Sequence, residues 1–425
     1  MSALATTSGT PTPQAPFSKK VVAAWSSFDF ANSSFSAIIV TFVFPIYFGE
    51  TVVTNGRGDF YWGIAMSLSM LLVALISPAL GAMADMTGSK KRFLAAFTLI
   101  SILGTAGMYF LHPGMVFAGI LLFVFANAGF EGGTVFYDAF LPEISSPKTY
   151  GRISGIGFAV GYIGSLAALI ITMLMLQPKP PLVRETFLAT ALFFLVFTIP
   201  TLLWVPERRK PKAGTLGEII RKGFRENIHT IRKIGEHKNV ARFLLGFFLY
   251  NDAILTIIGF SGRFAKNSLG FSTQDLALFF IMIQVIAAVG SMLFGFITDR
   301  VGARITILIT LGIWIVVVIG AYFSATASTF WIVGGIAGMA LGSSQSASRS
   351  YMAQLTPKEH TAEFFGFYDG LCGKASAVFG PFLYGMLSDQ FGQRPAIVSL
   401  GVFFITGFVI VRSISHSGKP EPALD

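Results

Sequence analysis

"GAMADMTGSKKR" runs from Gly81 to Arg92, and "GFITDRVGAR" runs from Gly295 to Arg304. Each has a Gly, an Asp four residues on, a second Gly three further, and then basic residues. Each follows a long apolar segment, so Asp85 and Asp299 stand at matching helix ends. A carboxylate there can meet the N-terminus of a neighbouring helix and nearby cationic side chains. The two copies make the chain a duplication, and the fold turns on what was duplicated.

Composition names the setting. The 425 residues are 53% hydrophobic and only 12% charged, with mean hydropathy +0.68. A soluble domain carries about 25% charged residues. The 44 Phe and 45 Gly suit a polytopic helical membrane protein, where glycine lets helices approach closely. The short alternating segments of an outer-membrane barrel are not seen. The single Cys372 rules out an intrachain disulfide. Residues 1–18, rich in Ser, Thr, Pro and Ala, read as a disordered tail and not a signal peptide.

A crossing helix needs about 20 apolar residues. Twelve segments qualify: 21–48, 61–83, 93–111, 115–140, 152–177, 185–205, 241–262, 275–297, 305–325, 330–352, 364–387 and 395–413. The one long loop, 207–240, divides them six and six. With the N-terminus placed in the cytoplasm, 24 of the 31 Lys and Arg fall on the cytoplasmic side. That split predicts an N-in, C-in chain. It also accounts for the net charge of +10 without nucleic acid as a partner. In the loop, Ile219, Ile220, Phe224, Ile228 and Ile231 recur at helical spacing, which predicts an amphipathic helix on the cytoplasmic leaflet. His229 and His237 lie eight apart without partner ligands and read as a solvated face, so no metal site is expected.

The duplication extends beyond the two loops. "LPEISSPKTYGRISGIG" (141–157) is echoed by "LTPKEHTAEFFGFYDGLCG" (355–373), and Asp29 with Asn32 by "YND" (250–252). Two six-helix halves related by a parallel repeat build the major facilitator fold. The expectation is therefore an all-α membrane protein of twelve transmembrane helices in two six-helix bundles. Its parts are a tail (1–18), an N-terminal bundle (19–206), a cytoplasmic linker (207–240), a C-terminal bundle (241–414) and a second tail (415–425). The loop signature resembles that of the major facilitators. It marks Gly81, Asp85, Arg92, Arg152, Asp299, Arg300 and Arg304 as gating residues. Met86 stands where the second copy has Arg300, so the stronger charge pairing is expected in the second copy.

"FDFANSSFSAIIVTFVFPIYF" (28–48), "VFYDAFLPEI" (135–144), "GRISGIGFAVGYIGS" (151–165), "FFLYNDAILTII" (247–258) and "GSSQSASRSYMAQLTPKEHTAEFFGFYDGLCGKASAVFGP" (342–381) carry a sharper likeness. Over roughly 25–415 the chain resembles the vacuole-effluxer branch of the major facilitators. That branch holds the fungal autophagy-related vacuolar amino-acid effluxer and many uncharacterised bacterial proteins. The resemblance implies a transporter, with amino acids suggested by the fungal members. Asp138 departs from it, standing where the family more often has an amide.

Polar residues inside the spans are expensive and mark function. Ser26, Asp29, Asn32, Ser33 and Ser36 share one helical face, as do Asn127, Glu131, Thr134 and Asp138. Tyr250, Asn251 and Asp252 lie on the seventh span, Gln345 and Arg349 on the tenth, Asp369 and Lys374 on the eleventh. In this fold the first, fourth, seventh and tenth helices line the central cavity. The acids should therefore converge on a wet chamber open toward the cytosol. Asp29, Glu131 or Asp252 would exchange a proton, while Arg349 and Lys374 hold a substrate carboxylate. Structural readings stand beside these. Asp138 with Arg349, and Glu131 with Lys374, could be plain buried pairs. Asp29 and Asp369 could complement helix dipoles. Asn32 and Asn251 could bridge helices.

The reading is a proton-coupled secondary transporter of a small polar or zwitterionic solute, monomeric and without cofactor, in a bacterial inner membrane. The alternatives are a transporter of a lipid or cell-wall fragment, and a receptor or scaffold that no longer transports. No Walker loop, paired metal-binding His or Gly-x-Ser-x-Gly elbow suggests an enzyme.

Overall fold

The computed structural model describes residues 18–207, 238–357 and 360–414. The expected tails beyond Ser18 and Ile414, and the amphipathic helix expected over Ile219 to Ile231 with His229 and His237, lie outside them. Among the described residues there are twelve long helical segments and no strand. We number them α1 (Lys19–Val52), α2 (Gly58–Thr87), α3 (Lys90–Phe110), α4 (Val116–Asp138), α5 (Tyr150–Leu176) and α6 (Val183–Trp204). The second set is α7 (Lys238–Leu269), α8 (Thr273–Val301), α9 (Ala303–Phe323), α10 (Ala327–Leu355), α11 (Thr361–Phe391) and α12 (Gln393–Arg412). A single helical turn, Leu141–Ile144, follows α4.

All twelve expected spans are present, most extended by several residues. Ten are long and apolar enough to cross a bilayer by composition alone. The other two, α10 and α11, carry Ser343 to Ser350 with Arg349, and Glu363, Asp369 and Lys374. Such helices can reach membrane depth only when neighbours wrap their polar faces. Their buried polar residues show that they are wrapped: Ser343, Ser346, Arg349 and Ser350 are at most 1% exposed. The third and sixth helices of each bundle, α3, α6, α9 and α12, expose large apolar side chains such as Leu103, Leu192, Val316 and Val402, which suits them to face lipid.

Two helices are locally underwound. α1 has π-helical turns at Ser36–Phe42 and Phe48–Val52, and α11 has one at Gly366–Cys372. The Thr41 hydroxyl donates to the Ser36 carbonyl at 2.9 Å across the first bulge. The α11 bulge carries Asp369. Such bulges often mark functional positions.

The bundles meet along two seams related by the repeat. α2 packs on α11, and α8 packs on α5. Small residues permit the contact. Gly81 sits directly on the backbone of Ala362, with Ser77 against Gly366 and Gly370. Gly155 sits on the Ser291 carbonyl, and Gly151 on Thr298 and Gly295. All these approaches lie toward one end of the molecule, the face that carries Lys19, Lys90, Arg152, Arg304 and Arg412. We call it the basic face. Within the bundles, α1 packs with α5 and α6, and α7 with α11 and α12.

Candidate translocation site

The repeated loops turn through left-handed glycines, Gly88 at φ 62° and Gly302 at φ 91°. Each loop brings its aspartate to the first turn of the other bundle's fifth helix. Asp85 Oδ2 accepts the Glu363 N–H at 2.9 Å, and Asp299 Oδ1 accepts the Arg152 N–H at 3.2 Å. Both donors are the third residue of their helix, where backbone N–H groups lack partners within the helix. The carboxylates thus cap α11 and α5 across the bundle boundary.

Around this shared geometry the copies differ, and the expected ranking is reversed. Arg300, exposed on α8, makes no ion pair with Asp299 among the described residues. Asp299 instead lies 3.8 Å from Arg152, whose side chain is a third exposed. The first copy holds the denser cluster. Lys90, 2% exposed, lies 3.3 Å from Asp85 and 2.6 Å from Glu143, and it also donates to Thr361. The cause is the Gly88 turn. It starts α3 at Lys90 and folds that side chain back under Asp85. Arg92 is exposed. Arg304 bonds the last carbonyls of α12, Val411 and Arg412, and so works inside its own bundle rather than at the gate.

Deeper in, Arg349 of α10 enters the N-terminal bundle. Its Nη1 donates to Asp138 at 2.8 Å and to Asp29 at 3.3 Å. Its Nε donates to Ser154 Oγ at 2.9 Å and its Nη2 to the Ser154 carbonyl at 2.8 Å. Tyr137 Oη donates to Asp29 at 2.6 Å, and Trp25 Nε1 to the Tyr137 carbonyl at 3.1 Å. The guanidinium lies 4.1 Å from the Phe158 ring centre and 4.9 Å from that of Trp25. Arg349 is 1% exposed. Only glycine fits beside it: a Cβ at Gly157 would come within 2.6 Å of Asp29 and 2.8 Å of Arg349.

This arrangement corrects the expectation of a chamber open at the basic face. The charges do converge there, but into a closed plug. The guanidinium's donors are consumed by protein, which leaves it little to offer a substrate carboxylate in this conformation.

One level further from the basic face, Lys374 of α11 meets Glu131 of α4 at 2.5 Å. This pair also crosses between bundles, but it is less enclosed. Its side chains are 16% and 8% exposed, against 2% for Arg349. Asp369, half-buried on the α11 bulge, acts electrostatically on Lys374, Glu131, Asp138 and Asp29. Its Oδ2 accepts no hydrogen bond among the described residues.

The seventh-span residues stand apart. Tyr250 bonds Ser348 at 2.7 Å, and Asn251 donates to Ser376 Oγ at 2.8 Å. Asp252 accepts the Gly380 N–H at 2.8 Å and is fully buried. All three contacts stay within the C-terminal bundle, so Asp252 does not join Asp29 as its repeat position suggested. Asn32 is buried, with Ser33 as its hydrogen-bond donor, and Gln345 is half-buried on α10. Sequence reasoning passed over Tyr137, Ser154, Lys90, Glu143 and Glu363. All but Lys90 lie in stretches that carried the family likeness, which was the available signal.

A profile of the family described as vacuole effluxer Atg22-like matches residues 61–421. The chain belongs to this family. It is 32% identical over 413 residues to an uncharacterised MFS-type transporter, YxiO, of Bacillus subtilis, covering 94% of this chain and 95% of that one. It is 24% identical to autophagy-related protein 22 of Coccidioides immitis, covering 80% of this chain and 69% of the relative. Among solved structures, the proton:xylose symporter XylE superposes with TM-score 0.73 at 14% identity, over 94% of this chain and 96% of that one. The transporter FucP in its outward conformation gives 0.71 at 14% identity, over 93% and 99%. The Atg22-like chain is thus a multi-pass membrane transporter of the major facilitator fold, working by alternating access, and not an enzyme.

Proposed function

We propose that this Atg22-like transporter moves a small zwitterionic solute, an amino acid by preference, with protons as the coupling ion. The observation that carries the reading is the Lys374–Glu131 pair. It is a cation and a carboxylate contributed by opposite bundles, less enclosed than the Arg349 plug, with Asp369 beside it. A zwitterion exchanges into such a pair: its carboxylate takes Lys374, and its ammonium takes Glu131 and Asp369. The exchange conserves charge pairing, which a buried site requires.

Charge balance supports protons. Among the described residues, the cations paired with Asp29, Asp138 and Glu131 or acting on Asp369 are Arg349 and Lys374. Four carboxyl groups against two cations leave an excess of two negative charges in a water-poor interior. Protons on the carboxyls, or positive charge brought by the cargo, remove that excess. The distribution of Lys and Arg supports a cytoplasmic basic face, hence N-in and C-in. The likeness to the Bacillus protein supports a bacterial cytoplasmic membrane.

The test uses purified protein in proteoliposomes with an imposed pH gradient and a panel of radiolabelled amino acids. We expect saturable uptake that collapses when the gradient is dissipated. Lys374→Met should abolish uptake of zwitterions while the protein remains folded. Undiminished uptake by Lys374→Met, or transport of lipids alone, would overturn the reading.

A further inference from the structure

A third carboxylate sits in the α2–α11 seam, beside the Lys90 cluster. Glu363 is the third residue of α11, and its side chain is fully buried. Its N–H goes to Asp85 Oδ2 at 2.9 Å. α2 lies directly on its backbone, since a Cβ at Gly81 would come within 2.8 Å of the Glu363 Cα. Lys90 is engaged with Asp85, Glu143 and Thr361. The group that meets the Glu363 carboxyl is the His360 imidazole, whose Nδ1 lies 3.0 Å from Oε2. Oε1 is buried and has no hydrogen-bond partner among the described residues.

A carboxylate shut away from water needs a cation or a proton beside it. The first turn of a helix favours the anion, so Glu363 is well placed to carry the negative charge. The same dipole disfavours a cation at His360, the residue that precedes the helix, so the Glu363 carboxylate is what holds a proton there. The other charges gathered at this seam are Asp85 from α2, Lys90 from α3 and Glu143 from the turn after α4. Three carboxylates against one lysine leave two negative charges in excess, and a proton on His360 removes one of them. His360 and Glu363 share α11, so parting the bundles does not separate them. It withdraws α2 and lets water reach Glu363, where an exposed ion pair contributes little. The shut form therefore binds the proton more tightly than the open form.

We propose that His360 and Glu363 form a proton-operated latch that holds the basic face shut at low pH. By linkage, the hold is complete below about pH 6.5, the ordinary imidazole value, and fades as pH rises above it. The latch uses different groups from the deeper acids of the proposed function, so either reading can fail alone.

The experiment measures alkylation by N-ethylmaleimide of Ser77→Cys, a position buried in this seam, in the purified full-length protein carrying Cys372→Ser. The rate follows how often the seam opens. Dividing the rate of His360→Gln by that of its parent at each pH cancels the titration of the thiol and of the deeper acids. We expect a ratio of about ten at about pH 5.5, falling to about one at about pH 8.5, as one unit of differential proton affinity gives. His360→Arg, a permanent cation, should react as slowly as the parent at the lower pH and more slowly than it at the higher. In a Glu363→Gln background the same ratio should be about one throughout. A ratio that does not change with pH would overturn the proposal. So would a pH-dependent ratio that survives Glu363→Gln, or a His360→Arg protein as reactive as His360→Gln at the lower pH.

Discussion

Replacing Arg349 with Met separates a plug from a mere buried pair. In the structure described here Arg349 neutralises Asp29 and Asp138 from the opposite bundle, and bonds Ser154 twice. Removing it strands two carboxylates in a closed interior. Breaking a buried pair by deleting one partner costs about 3–5 kcal/mol. That cost falls on the conformation shut at the basic face. Where the bundles part there, water reaches Asp29 and Asp138 and the cost is relieved. The equilibrium should therefore move toward the open form by roughly 100- to 4,000-fold, at 1.4 kcal/mol per factor of ten. The assay is pulsed electron–electron distance measurement between nitroxides at Arg92→Cys and Arg300→Cys, in a Cys372→Ser background. Both labelled positions are exposed, one on each bundle. Wild type should give a dominant short distance, and Arg349→Met a dominant long one. Adding Asp29→Asn and Asp138→Asn should restore the short distance, because a neutral interior needs no cation. A folded Arg349→Met protein that keeps the short distance would refute the argument.

Lys90→Met should lower the unfolding midpoint through a loss of about 3–5 kcal/mol, since it removes the buried cation that Asp85 and Glu143 share; combining it with Asp85→Asn and Glu143→Gln should recover most of the drop in the same melt. Gly157→Ala pushes a methyl into Asp29 and Arg349, a strain of about 1–3 kcal/mol on the closed form. It should populate the long nitroxide distance without removing any charge. Asp85→Asn should destabilise the closed form more than Asp299→Asn. The first aspartate is buried with Lys90, whereas the second faces a third-exposed Arg152 at 3.8 Å, a pair worth about 0.2–1 kcal/mol. Equal effects of the two variants on the nitroxide distances would contradict this order.

The fold was legible because bilayer thickness forces a long apolar repeat and because the two Asp-containing loops survive as near copies. Much of the site was legible too, since charges within apolar spans stand out against their surroundings. What sequence could not supply was helical phase. Asp29 and Asp252 occupy echoing depths, but each residue step turns a helix by about 100°. Asp29 faces α10, whereas Asp252 faces α11 in its own bundle. The ranking of the two loops failed for a related reason. Comparing Met86 with Arg300 considers the residue next to each aspartate. The partner that matters, Lys90, lies beyond a left-handed turn that reverses the chain.

Arg349 and Lys374, the two cations that cross between the bundles deep in the spans, are unequal, and their order along the path carries the mechanism. Arg349 is the inner one, with its donors consumed and aromatic rings against it. Lys374 is the outer one, with Glu131 as its ion-pair partner and some access to water. On the proposed reading, a zwitterion arriving from the far end can separate Lys374 from Glu131 and compensate both. It cannot by itself release Arg349, because nothing in that exchange compensates Asp29 and Asp138. Protons on those two acids do. They weaken the hold on the guanidinium while removing the charges that would otherwise be stranded. Solute binding and proton binding then act on different struts of the same closure, and the basic face opens at low cost only when both have been loosened. That requirement is what coupling means in a two-state device. It also makes Asp29 and Asp138, rather than the solute-facing Glu131, the residues whose neutral variants should transport without a gradient.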